Sequence, residues 1–160
     1  MRHHFAMAGA LLLIAAGPVP SSLPNPQLTP GAIDPAVTQD NIAETICRAG
    51  YTRGVRPPEA YTEALKRQQM DEYGYRGDHL RDFEQDHLVP LGLGGHPTDP
   101  RNEWPEPWQP ADGWGADVKD ALEPRLHDLV CAGRLPLADA QRAIATDWIA
   151  AYRRYGGMDR

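Results

Sequence analysis

Cysteine is scarce: the 160-residue chain holds two, Cys47 and Cys131, and no Cys-x-x-Cys pair. That excludes the four-thiolate knuckles that carry structural zinc, and no structural zinc is expected. Cationic excess is missing too. Lys and Arg number 16 against 22 Asp and Glu, a formal net charge of −6. Long-range attraction to a phosphate backbone is therefore ruled out, and a nucleic-acid partner would need a local basic patch or a bound cation. Long apolar runs are also lacking. The stretch from Phe5 to Gly17 is 13 residues, short of the roughly 20 that a membrane-spanning helix requires. It follows the basic tip Met1-Arg2-His3-His4 and precedes small residues and prolines, the pattern of a secretory signal peptide, here assigned to residues 1–22. The chain is thus expected to be exported, periplasmic or extracellular, with no transmembrane span in the mature protein. In such a compartment an isolated cysteine pair closes, so a Cys47–Cys131 disulfide is expected.

What is abundant is proline (16) and glycine (15), which predicts a loop-rich fold. Residues 23–37 read as an extended N-terminal arm, and 38–157 as one small α+β domain, mostly helical. Ile42 and Ile46 predict a short helix from Thr38 to Cys47, with Thr38 as its cap. A turn from Gly50 to Pro58 leads into a second helix to about Met70, with Tyr61 and Leu65 on one side and Lys66, Arg67 and Gln68 on a solvated face. Asp78-His79-Leu80 repeats a triplet found eight residues later, but no Pro-Leu or Gly-Gly follows it, and His79 is expected to be an exposed loop residue. Phe83 to Val89 suits a strand, Pro90 and three glycines a loop, and Asn102 to Trp104 a returning strand ended by Pro105, Pro107 and Pro110. Residues 116–131 carry a helical apolar stripe (Val118, Leu122, Leu126, Leu129, Val130) flanked by Lys119, Glu123 and His127 at four-residue spacing. Pro124 should kink or split that helix. A covering helix is expected from Pro136 to about Tyr155, and Trp104, Trp108 and Trp114 are expected to pack.

The order Asp86-His87-x-x-Pro90-Leu91-x-x-Gly94-Gly95 followed by Asn102 resembles the HNH endonucleases of the His-Me finger (ββα-metal) superfamily, over about residues 82–131. The resemblance implies a metal-dependent phosphodiester hydrolase acting on DNA or RNA and leaving a 5′-phosphate and a 3′-hydroxyl. By position, His87 would be the general base, Asp86 a metal ligand and Asn102 the residue that orients the loop. A divalent ion, Mg²⁺ or Mn²⁺, is the implied cofactor, since a hard cation held by carboxylates offsets charge on a pentacoordinate phosphorus. The chain departs from the family pattern where a further helix histidine would ligate the metal. Glu123 is the candidate there, with His127 as another, and Lys119 and Arg101 are candidate substrate contacts. The acidic charge and the missing histidine leave a rival, a catalytically inactive scaffold or binding module of the same fold. On a regular strand Asp86 and His87 would face opposite ways, so a shared site needs the strand to end or bulge there.

Overall fold

The structure, a computed structural model, describes residues 20–156. The expected signal peptide lies outside them apart from its last three positions. Four helices surround a two-stranded sheet: α1 (Tyr51–Val55), α2 (Glu59–Glu72), β1 (Phe83–His87), β2 (Glu103–Pro107), α3 (Ala116–Cys131) and α4 (Leu137–Tyr155). The fold class is therefore α+β with one disulfide, as expected. Cys47 and Cys131 are bonded, their Cα atoms 5.7 Å apart. Among the described residues no helix is long and apolar enough to cross a membrane.

β1 and β2 pair antiparallel, with Asp86 opposite Trp104 and His87 opposite Glu103. Side chains alternate across such a ribbon, so Glu84, Asp86, Trp104 and Glu106 share one face while Gln85, His87, Glu103 and Pro105 share the other. The strand boundaries differ from expectation. β1 stops at His87, and the Leu88 N–H still donates to the Asn102 carbonyl at 2.7 Å, in register with the ladder. β2 instead runs through Pro105 and Pro107. Both strands of a two-stranded sheet are edges, and a proline fits where its missing N–H would have pointed away from the partner.

The hydrophobic core lies under this ribbon, where Leu88, Val89, Leu93, Trp104, Leu122, Leu126, Val130, Ile144 and Trp148 are buried. Burial of each such side chain is worth about 1.5–3 kcal/mol. α3 has the predicted span, but Pro124 neither splits it nor ends it; the loss is confined to the bond that the Asp120 carbonyl would have accepted. α4 instead breaks at Asp147 (φ −162°, ψ 93°), whose carboxylate caps the second half by accepting from the Ala150 N–H at 2.9 Å.

Four further expectations are corrected. Residues 38–47 form a 3₁₀ turn at Gln39–Asn41 and then irregular turns, since the disulfide and the Ile46 contact with α3 set that path rather than helix propensity. The Gly50–Pro58 turn contains the short helix α1. Lys66 does not lie on a solvated face; it is buried and its ammonium donates to the Phe83 carbonyl at 2.5 Å. The segment 23–37 is bound against the domain and is not extended throughout, turning at Asn25–Thr29 and again at Asp34–Val37. Gly31 N–H donates to the Arg101 carbonyl, Ile33 bridges Gly95, and Thr29 is buried between Tyr73 and Glu103. Just before the arm, the Ser22 carbonyl accepts from the Trp148 indole.

Candidate active site

The loop between the strands is built from two glycines and one amide. Gly94 sits at φ +72°, a conformation L side chains resist. A Cβ on Gly95 would lie 1.7 Å from the Val89 carbonyl oxygen, so only glycine lets the loop close on itself. Asn102, with no exposed surface, bolts the closure. Its Oδ1 accepts from Val89 N–H at 2.9 Å, and its Nδ2 donates to the carbonyls of Val89 (2.9 Å) and His96 (3.2 Å). The amide thus orients the chain leaving His87, and makes no contact with a reacting group.

His87 is 6% exposed. Its Nε2 lies 3.1 Å from the Pro97 carbonyl and 3.8 Å from Glu103 Oε1. A carbonyl only accepts, so Nε2 carries the proton and the lone pair of the neutral ring sits on Nδ1. Burial holds the imidazole below its ordinary 6.5, outweighing the opposing pull of the Pro97 carbonyl and Asp86. The ring is therefore neutral at pH 7, the form a general base requires. Glu103 is wholly enclosed beneath it, pushed up to about 7 by burial against the effect of the Gln85 amide.

Asp86 points to the other face, toward α3, and there the structure brings the expected metal ligands together. Oxygens of Asp86, Asp120 and Glu123 lie within 4.8 Å of one another. Lys119, with no exposed surface, sits beneath them. Its ammonium donates to Asp86 Oδ2 (2.5 Å), Glu123 Oε1 (2.6 Å) and the His87 carbonyl (2.9 Å). Its three donors are taken, so it serves as an internal counter-cation and not as a contact for incoming phosphate. Burial would lower its pKa, but Asp86, Glu123 and Glu106 more than reverse that and hold it well above 10.5. Asp86 likewise stays ionised: desolvation pushes it up, and Lys119 pulls it below 3.8.

One cation does not balance this cluster. Burial, reinforced by neighbouring carboxylates, raises Glu84 to about 7, Glu123 to about 7, and Asp120 above its ordinary value. Glu106, on the same ribbon face as Asp86, has no exposed surface and no N–H donor on either oxygen. Burial lifts its pKa well above 4.5, with Asp86 close enough to share its proton. Sequence reasoning missed Asp120, Glu106 and Glu84. Asp120 stands one helical turn before Glu123, and the period of two from Asp86 and Trp104 marks Glu84 and Glu106.

The other named residues lie elsewhere. Arg101 is exposed and its guanidinium is engaged by Asp99 at 2.7 Å. His127 Nε2 is 3.0 Å from the Ile46 carbonyl and 3.5 Å from Cys131 Sγ. Cys47, Cys131 and His127 are close enough to ligate an ion, but the two sulfurs are bonded to each other and supply no thiolate. His79 is exposed, as expected, and caps a 3₁₀ turn. No family model, no curated protein and no solved structure matches the chain.

Proposed function

We propose that the protein is an exported, metal-dependent nuclease of the HNH type, hydrolysing phosphodiester bonds of nucleic acid at the end of β1. The observation that carries this reading is the gathering of Asp86, Asp120 and Glu123 oxygens within 4.8 Å, on a hairpin-then-helix frame, one residue from a neutral, proton-accepting His87. The donor set fits a hard divalent ion such as Mg²⁺ or Mn²⁺: three carboxylates, with the enclosed and donor-free Glu106 behind them. When bound, such an ion would offset the charge gained by the phosphorus and the leaving oxygen.

The protein groups then divide the work. His87, its Nε2–H fixed by the Pro97 carbonyl, takes a proton from water at Nδ1. The water oxygen forms a bond to phosphorus as the bond to the 3′-oxygen breaks, and that oxygen leaves as a hydroxyl once protonated by solvent. Asn102 keeps the imidazole in register through the loop. Asp86 and His87 point to opposite faces of the ribbon, so on this reading the scissile phosphate lies across the tip of β1, where it would reach both. The disulfide and the basic tip of the leader support export.

A second reading has its own support. Lys119 already supplies a cation to Asp86 and Glu123, as a frozen, non-catalytic scaffold would. Incubating the oxidised protein with plasmid DNA and with RNA, in Mg²⁺, Mn²⁺ or chelator, separates the two. The nuclease reading expects cleavage that chelator abolishes and that His87→Ala reduces by about 10²–10⁴-fold. Absence of cleavage in every metal, from protein with intact circular dichroism, establishes the scaffold.

A further inference from the structure

Beside the carboxylate cluster, on the other side of Glu123, opens a cleft of about 420 Å³ walled by the segment 46–52, Arg56, the Pro90–Gly92 turn and α3. Glu123 borders both the cleft and the cluster. Its volume falls in the ~300–1,000 Å³ range of small-ligand sites, room for about one nucleotide. Two exposed guanidiniums, Arg48 and Arg56, line it, and neither forms an ion pair among the described residues. Arg67, Arg76, Arg81, Arg101 and Arg142 each face a carboxylate; of the exposed arginines without an ion pair, Arg48 and Arg56 are the two that share a cleft. Arg56 is also near enough to His87 and Asp120 to pull both toward lower pKa. The ring of Tyr51 and the half-buried His127 complete the lining.

We propose that this cleft seats one unpaired nucleotide beside the scissile phosphate, with Arg48 and Arg56 on the backbone and Tyr51 against the base, making single-stranded nucleic acid the preferred substrate. The proposal rests on the nuclease reading for its scissile phosphate. A base held in a duplex cannot enter a cleft of this size, whereas an unpaired base presents a free face to an aromatic ring. Charge points the same way. A chain of net charge −6 is repelled less by a single strand, with one phosphate per ~3.4 Å, than by a duplex, with one per ~1.7 Å.

The test measures binding without cleavage. Full-length oxidised protein in chelator is titrated against fluorescein-labelled oligothymidylate and against its duplex with oligoadenylate, and anisotropy is followed over a range of salt. The single strand is expected to bind about tenfold more tightly or better. Arg48→Gln with Arg56→Gln should weaken it about tenfold and reduce the slope of log K against log salt by about 1.4, at ~0.7 for each phosphate no longer neutralised. Gly92→Phe is a second, independent variant. Gly92 has no left-handed φ, and a Cβ there would meet His127 and Thr52 at 3.6 and 3.9 Å, ordinary van der Waals separations, so a larger side chain plugs the cleft without backbone strain. It should abolish the single-strand preference. Equal affinity for duplex, or an unchanged affinity and salt slope in both variants, overturns the cleft. Loss of binding in these variants from a protein that cleaves nothing in any metal would leave the cleft standing and remove the nuclease reading. Metal-dependent cleavage of strand and duplex alike by the native protein, unchanged in the plugged variant, does the reverse.

Discussion

Lys119 is a lysine with no exposed surface held by two carboxylates and a carbonyl. Replacing it with Met would leave the half-buried Asp86 and Glu123 and the enclosed Glu106 without a cation, and removing one partner of a buried ion pair typically costs about 3–5 kcal/mol. Urea denaturation of Lys119→Met in chelator should show a loss of that order at pH 7, and added Mn²⁺ should restore part of it if the carboxylates hold an ion. An unresponsive variant would argue against the metal. Tyr73 offers a cleaner test of burial alone. Desolvation, opposed by its bond with Thr29 Oγ1 at 2.7 Å, pushes its phenol up to about 12. A raised folded pKa contributes stability fully below pH 10 that is lost as pH rises through about 12. Thermal melts should therefore fall steeply over that window. Tyr73→Phe, about 1 kcal/mol less stable at pH 7 for the missing hydrogen bond, should show a shallower alkaline fall, the remainder belonging to Tyr51, Tyr61 and Tyr75, whose phenols burial also raises.

The hairpin holds Asp86 and His87 in place, and its loop tolerates nothing at Gly95. A methyl there would strike the Val89 carbonyl at 1.7 Å and the Asn102 amide at 2.7 Å, so the loop must open and break the amide's bonds. Gly95→Ala should cost about 3 kcal/mol or more, read as a drop in denaturation midpoint. Asn102→Ala should cost about 2–3 kcal/mol, because it leaves the Val89 N–H buried without an acceptor. If Asn102→Ala matches the native midpoint, the loop is held by something else. α3 was legible to the residue because its stripe is long and regular. Residues 38–47 were not, because two isoleucines four apart fit a helix and a turn packed on a neighbour equally well. Pro105 and Pro107 misled for a related reason: a sequence shows that an N–H is missing, not which way it would have pointed.

At the scale of the molecule, the disulfide closes a loop spanning 84 positions, tying the segment before α1 to the end of α3. In the chain-entropy account it stabilises the fold by about 4.5 kcal/mol. Cys47→Ser with Cys131→Ser should lose up to that amount in a urea titration, matched by reduction of the native protein. The charge cluster predicts an unusual pH profile. Glu84, Glu103 and Glu123 are lifted to about 7 and Glu106 well above its ordinary value, so the stability of the protonated forms is full below about 4.5 and is lost as pH rises through about 7. Asp86 runs the opposite way, its contribution vanishing as pH falls through its lowered value. In chelator the melting temperature should decline from pH 5 to 8, and a divalent ion should raise it more at pH 8 than at pH 5, where protons compete for the same oxygens. A flat profile with and without metal would remove the cation from the cluster.

The linear chain determined what depends on near neighbours: the extents of α2, α3 and α4 to within a residue or two, the pairing of its only two cysteines, and the hairpin that carries Asp86, His87 and Asn102. Regular periodicity and the absence of alternative partners are properties of spacing, and spacing is written in the sequence. Only the tertiary structure decided that Lys119 and Lys66 are enclosed, that Glu106 and Asp120 join Asp86 and Glu123, and that residues 23–37 are bound against the domain. Those outcomes turn on desolvation and on charges brought together from distant positions, energies that exist only once the ribbon has folded onto α3.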